Sequence, residues 1–326
     1  MNKVPVLKKG STIGIIAPST TIEAAGEKTV RRLQEYLAQK GFPVIFGASC
    51  YEDARKEQSV EIRVADIHAF FKDPTIGCIM AFWGGETTQE ILNLLDYDLM
   101  RKYPKILIGY SDITKLTLAV SKKAGFITFS GPAGISFGKP MPFHYTWDYF
   151  EKMCIAPQET LEIKSSSQFA DDAYYLRPDN DRRILKHNRG LQMLRGGKAQ
   201  GEILAGHFLS MLDLLGTPFA PTFEKKLLFI EFSEEESLTS INETLRRGEQ
   251  AGVFKHIAGL VFGRFASKGN NASWNTLLKN YFGDASFPVL WNADFGHTDP
   301  LCTIPNGGSG TIDADTPSIS FNRAVL

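Results

Sequence analysis

The sequence predicts an α/β protein: an N-terminal domain built on a parallel sheet, then a smaller, strand-rich domain. Three observations carry this expectation. Short apolar runs alternate with amphipathic helical patterns through the first half. The second half consists of short apolar runs punctuated by glycine, and an irregular polar stretch lies between the two. Alternating strands and helices are the mark of βα units, whose sheets are parallel and covered on both faces. The expected divisions are 1–150, a connecting segment over 151–189, and 190–326.

Taken in order, Thr12–Ala17 reads as a strand closed by Pro18-Ser19, and Ala24–Lys40 as an amphipathic helix stopped by Gly41. Pro43–Phe46 is a second strand. Val60–Lys72 is helical, with Ile62, Val64, Ile67 and Phe70 as its apolar positions. Cys78–Phe82 is a strand running into Trp83-Gly84-Gly85, Thr87–Leu95 a helix, Ile106–Ile108 a strand and Ile113–Ala124 a helix. Ligands of parallel sheets collect beyond the carboxyl ends of the strands, where Pro18-Ser19, Gly84-Gly85 and Ser111 all fall. From about Trp147 to Arg189 the pattern is irregular, with Ser165-Ser166-Ser167, Asp171-Asp172 and Arg177-Pro178-Asp179-Asn180-Asp181. That length suits an exposed connection lying over an active site. Beyond it, Leu227–Ile230, Gly259–Gly263 and Pro288–Trp291 read as strands and Ser237–Gln250 as a helix, one of one or two expected there.

Composition narrows the function. The 326 residues are 43% hydrophobic and 22% charged, as in a soluble globular protein. Lys+Arg and Asp+Glu both number 36, so no basic field points to nucleic acid. Cys50, Cys78, Cys154 and Cys302 are far apart, which suggests neither a zinc site nor a disulfide framework. No signal-peptide core opens the chain and no apolar run approaches membrane-spanning length, so a cytoplasmic location without a membrane partner is expected.

The most informative stretch is Lys105-Ile-Leu-Ile-Gly109-Tyr110-Ser111-Asp112-Ile113-Thr114. It is strand, tight turn, helix, with a hydroxyl at the apex beside the freed N–H groups of a helix start, the requirement of an acyl-transfer nucleophile. A lone Ser-Asp pair is more often a helix cap. Two later segments change that balance. Lys226–Glu231 ends an apolar strand in a carboxylate, followed by Glu234-Glu235-Glu236. Pro288–Pro300 ends a strand in a loop that presents His297 between glycine and Thr-Asp-Pro. Alone, Glu231 reads as an ion-pair member and His297 as a structural histidine. Together with Ser111 they supply nucleophile, acid and base, all at strand ends.

At this point the chain resembles the LD-carboxypeptidases, serine peptidases of the S66 group that include the microcin-immunity peptidases. The resemblance spans nearly the whole chain. It includes Gly10–Ser19, Phe82–Glu86, Leu95–Asp98, Pro104–Thr114, Gly131-Pro132, Arg195–Gly201, Leu215–Pro218, the Glu231 segment and Asn292–Pro300. Gly-Tyr-Ser-Asp-Ile-Thr and Asp-Phe-Gly-His-Thr-Asp-Pro, in this order, are its specific strings. The resemblance implies Ser111 as nucleophile, Glu231 as acid and His297 as base, within a two-domain protein whose second domain is mainly β. It also implies a homodimer. The oxyanion would be held by the backbone N–H groups of Gly85 and Asp112. Neither cofactor nor metal is required. Gly84-Gly85 could otherwise be read as a phosphate turn, but the GxGxxG and Walker lysine patterns are missing.

Two departures from the family pattern bear on substrate. Ala205-Gly206-His207-Phe208 stands where Gly-Gly-Asn-Leu is common, and Glu234-Glu235-Glu236 where the microcin-immunity branch tends to carry a lysine. An acidic run repels an anion, which favours a muropeptide over a nucleotide conjugate. A carboxypeptidase also needs a group for the terminal carboxylate; Arg264, Arg177, Arg182 and Arg183 are candidates outside the expected site. Trp83, Tyr174 and Tyr175 are candidate aromatic walls. The expected partner is a small peptide or peptide conjugate, cut next to a D-amino acid. Cleavage of an aminoacyl-nucleotide amide is the alternative, and a silent muropeptide-binding protein a third.

Overall fold

Both large sheets are organised around parallel strands. The computed structural model describes residues 1–51, 59–174, 182–266 and 271–326. In the first part of the chain, β1 (Thr12–Ile16), β2 (Val44–Phe46), β3 (Ile76–Ala81), β4 (Ile106–Gly109) and β5 (Thr128–Ser130) lie parallel in the order β2-β1-β3-β4-β5. Helices α1 (Glu27–Gln39), α2 (Ser59–Lys72), α3 (Tyr97–Lys102), α4 (Ile113–Ala124), α5 (Gly134–Gly138) and α6 (His144–Cys154) accompany them. The apolar runs are buried throughout β3 and β4, as strands covered on both faces require.

The second part supplies β6 (Thr160–Glu162), a hairpin of β7 (Gln168–Phe169) and β8 (Lys186–His187), then β9 (Gln192–Arg195) and β10 (Lys198–His207). There follow α7 (Phe208–Asp213), β11 (Lys226–Glu231), α8 (Leu238–Gln250), β12 (Gly259–Gly263), α9 (Asn271–Phe282) and β13 (Val289–Ala293). The chain closes with β14 (Ile304–Asn306), β15 (Ser309–Asp313) and β16 (Ser318–Asn322). The eight-stranded sheet runs β6-β16-β15-β10-β11-β12-β13-β9; its centre, β10 to β13, is parallel and its margins are antiparallel. The predicted α/β fold, with a mostly β second part, is thus observed.

Several expectations are corrected. The helix read over Ala24–Lys40 is broken at Gly26 (φ 77°) into a 3-10 turn, Ile22–Ala25, and α1. The Thr87–Leu95 helix is a 3-10 segment over Thr88–Leu94. The irregular connection does not begin at Trp147: α6 continues to Cys154, because Trp147, Phe150 and Met153 recur at three-residue spacing and are buried. The connection is also not free of the sheets, since β6 edges the second one. Three helices rather than one or two are present in the second part among the described residues. Finally, β14 returns to the first sheet, antiparallel to β5, so the end of the chain ties both parts together.

Helix α4 is buried from Ile113 through Ser121, so that stretch has no exposed face. Ile113, Leu116 and Val120 share the burial with Thr114, whose Oγ1 accepts from the His207 amide, and with Lys115, paired to Asp112 and Asp213. The helix touches α3, α7, β5, β10 and β14. This burial places the start of α4, and the turn before it, at the meeting of the two sheets.

Candidate active site

The site begins with a turn that holds a serine in a left-handed conformation. Between β4 and α4 the chain reverses within Tyr110-Ser111-Asp112, and Ser111 adopts φ 64°. A non-glycine residue there costs of order 1–2 kcal/mol, and such conformations cluster at functional sites. Space for the serine comes from Gly84, where a Cβ would lie 2.7 Å from Ser111 Cβ and 2.8 Å from Oγ. Asp112 is not a side-chain cap. Its carboxylate instead accepts from the Thr88 amide (2.9 Å) and the Lys115 ammonium (3.0 Å), fixing the turn against the 3-10 segment. Among the described residues, neither the Asp112 nor the Gly85 amide hydrogen is given to another acceptor.

The other two residues arrive from the second sheet. Glu231 is the last residue of β11 and is 2% exposed; His297 lies four residues past β13. His297 Nδ1 is 2.6 Å from Glu231 Oε2, and Nε2 is 3.0 Å from Ser111 Oγ. With Nδ1 protonated, the ring donates to Glu231 and leaves Nε2 to accept the serine hydroxyl. Gly296 (φ 97°) makes the approach possible, because a Cβ there would meet Glu231 Oε2 at 2.6 Å.

Burial lowers the His297 pKa, but the adjoining Glu231 carboxylate, with Glu234 and Glu236 beyond it, raises it further, so it stands above the usual imidazole range. Glu231 is displaced in the opposite sense: burial would raise it, and the imidazole outweighs this and lowers it.

Two further rings surround the imidazole: His207, which the sequence placed near the site only as a departure from the family pattern, and Tyr110, which it did not assign. His207 ends β10 in direct register with Glu231, and its ring meets that of His297 edge-on at 5.4 Å. His207 is held by Ser210 Oγ and Glu236 Oε1, each at 3.0 Å. Tyr110 packs edge-on against His297 at 5.2 Å. His207 also follows an apolar run, Ile203–Ala205, the same pattern that marks Glu231.

Ser111 and His297 open into a cavity of about 800 Å³. Its wall carries six carboxylates, those of Glu86, Asp112, Asp213, Glu234, Glu235 and Glu236, against one lysine, Lys115. Lys115 is bound between Asp112 and Asp213 (3.4 Å). Trp83 lines this cavity, and Tyr174 a smaller one on the far side of His297. Of the arginine candidates, Arg182 is exposed, whereas the side chains of Arg264 and Arg183 are buried in ion pairs. Arg264 is joined to Asp294, and Arg183 to Asp172 and Asp299. Arg177 and Tyr175 lie outside the described residues. Among the described residues there is no cluster of His, Cys, Asp and Glu that could hold a metal, and no helix long and apolar enough to cross a membrane.

Both halves of the chain match known proteins. Residues 13–131 match the LD-carboxypeptidase N-terminal domain, and residues 200–312 the LD-carboxypeptidase C-terminal domain. A Bacillus subtilis protein named "Putative carboxypeptidase YocD" is 31% identical over 94% of this chain and 95% of its own length. Another from the same organism, "Probable murein peptide carboxypeptidase", is 27% identical over 95% of this chain and 91% of its own. The solved structure of microcin C7 self immunity protein MccF in complex with aspartyl sulfamoyl adenosine superposes with a TM-score of 0.91 at 26% identity, covering 100% of both chains. With both halves of the chain matched in order, this protein belongs to the LD-carboxypeptidase family of S66 peptidases.

Proposed function

We propose that this chain is a serine carboxypeptidase that hydrolyses an amide bond next to a D-amino acid in muropeptides. The observation that carries the proposal is the unbroken relay from Ser111 Oγ through His297 to Glu231 at the edge of a substrate-sized cavity.

On this reading, Ser111 Oγ attacks the amide carbonyl carbon as its proton passes to His297 Nε2. The carbonyl oxygen becomes an oxyanion, held by the amides of Gly85 and Asp112, each such donor being worth roughly 3–4 kcal/mol. Glu231 fixes the imidazole tautomer and offsets the imidazolium charge. The carbon–nitrogen bond then breaks, and His297 returns the proton to the leaving amine. Water attacks the acyl-enzyme, losing a proton to His297. The acid product leaves, and the proton returns to Ser111.

The acidic wall weighs against a nucleotide conjugate, because Glu234–Glu236 repel a phosphate or sulfamate, and it suits a part of the substrate that carries an amine. The likeness to MccF supports a second reading, cleavage of an aminoacyl-nucleotide amide. The same account expects a cytoplasmic homodimer.

The deciding experiment compares release of terminal D-alanine from murein tetrapeptide with hydrolysis of aspartyl sulfamoyl adenosine. Turnover of the tetrapeptide alone is expected. Turnover of the nucleotide conjugate alone would transfer the chain to the second reading. Binding of tetrapeptide without turnover of either compound would leave a silent binding protein.

A further inference from the structure

The loop that carries His297 is pinned at both ends by a buried aspartate, and the relay uses neither. Asp294 is 2% exposed and Asp299 5%. Asp294 accepts from the Ser166 amide (2.8 Å), Ser166 Oγ (2.8 Å), Asn188 Nδ2 (3.4 Å) and Arg264 Nη2. Asp299 takes the Lys139 ammonium on both oxygens, at 2.7 and 2.6 Å, and Arg183 Nη2 at 2.8 Å. Its backbone also exchanges hydrogen bonds with Ala170, at 2.8 and 2.9 Å. Most of these partners sit in or beside the β7–β8 hairpin, within the stretch read from sequence only as a connection.

Such anchoring has a physical reason. The imidazole is preceded by Gly296, which the close approach to Glu231 requires and which leaves the backbone its widest freedom. A relay of two hydrogen bonds tolerates displacements of only about 0.5 Å. Directional, charge-assisted bonds to buried carboxylates restrict a loop more sharply than apolar contacts do. The Asp299 end is balanced in charge: Lys139 and Arg183 face Asp299 and Asp172, so the clamp adds no net charge beside the imidazole. The groups facing His297 are otherwise Glu231, Glu234 and Glu236, with the rings of His207 and Tyr110 and the Ser111 hydroxyl.

We propose that Asp294 and Asp299 are positioning residues that hold His297 in register with Ser111 and Glu231 by fastening its loop to the hairpin segment and to Lys139. The proposal rests on His297 being the base. The reason for both aspartates in Asp-Phe-Gly-His-Thr-Asp-Pro is then mechanical.

The test is the low-field proton resonance of His297 Nδ1–H bonded to Glu231, read by NMR beside kcat and KM, in Asp294→Asn, Asp299→Asn and Lys139→Met. Lys139→Met leaves both carboxylates in place and covers the case in which an aspartate variant fails to fold. We expect the resonance to broaden or vanish and kcat to fall about a hundredfold with KM little changed. Folded variants that keep the resonance and kcat within about twofold of the parent, whatever their melting temperature, would overturn the proposal. A parent with the resonance but no turnover and no covalent labelling would sink the hydrolase reading instead, and the resonance would still decide whether the aspartates position the ring.

Discussion

Gly84 lies against Ser111 so closely that a methyl group on it would stand 2.8 Å from the serine oxygen. The two residues follow adjacent parallel strands, β3 and β4, so the two turns lie in contact. Gly84→Ala therefore forces the serine off its position. We expect kcat/KM to fall about a hundredfold, with a stability loss of about 1–3 kcal/mol. Steady-state rates and a denaturant melt of the same preparation check this.

Ser111 itself is held in a conformation that glycine adopts freely. Ser111→Gly is expected to lose at least about a thousandfold in turnover. It should also relieve strain, leaving the fold about 1 kcal/mol more stable or unchanged. A marked loss of stability, measured by thermal melting, would mean that the left-handed serine is not strained.

The pH profile follows from the raised pKa of His297. The base form is the neutral imidazole, so kcat/KM should be low in acid and climb to a plateau with a midpoint above the ordinary 6.5. Glu231→Gln removes the carboxylate that favours the charged ring; the rising limb should move to lower pH while the plateau drops by up to about 10⁴-fold. Stability obeys the same linkage. A raised folded-state pKa contributes stability that is complete below 6.5 and lost as pH rises through the folded value. Denaturant melts across that window should decline in the parent, and less so in His297→Ala.

Substrate charge is the clearest handle on specificity. Glu235 is exposed at the acidic side of the cavity. Replacing it, Glu235→Lys, should raise KM for a substrate bearing a free amine and lower it for one bearing a phosphate, with smaller effects as salt screens the field. Equal KM changes for the two substrates would remove charge as the selecting feature.

How much of this was legible in the sequence depended on the range of the interactions. The turn at Ser111 is local: an apolar strand, a glycine and a helix start lie within ten consecutive residues, and the structure realises that reading. Glu231 was visible because it ends an apolar strand, and His297 because it lies in the loop that follows one. Their convergence was not, since 186 residues separate Ser111 from His297 and only the sheet order joins them. Pairing of β14 with β5 was hidden for the same reason. The error at α6 had another cause: His144–Cys154 mixes charge with aromatics, and its buried stripe includes the polar Thr146 and Tyr149 beside Trp147, Phe150 and Met153, which blurs the apolar period. The hairpin segment looked merely polar because its charged residues, Asp172 and Arg183 among them, are buried as pairs.

The central claim is that Ser111 is made nucleophilic by His297. It is tested most directly by treating the parent protein with a fluorophosphonate probe and locating the adduct by peptide mass spectrometry. The account predicts one stoichiometric adduct on Ser111, lost in His297→Ala while the fold persists. Labelling on a different serine, or equal labelling of Ser111 without His297, would contradict it.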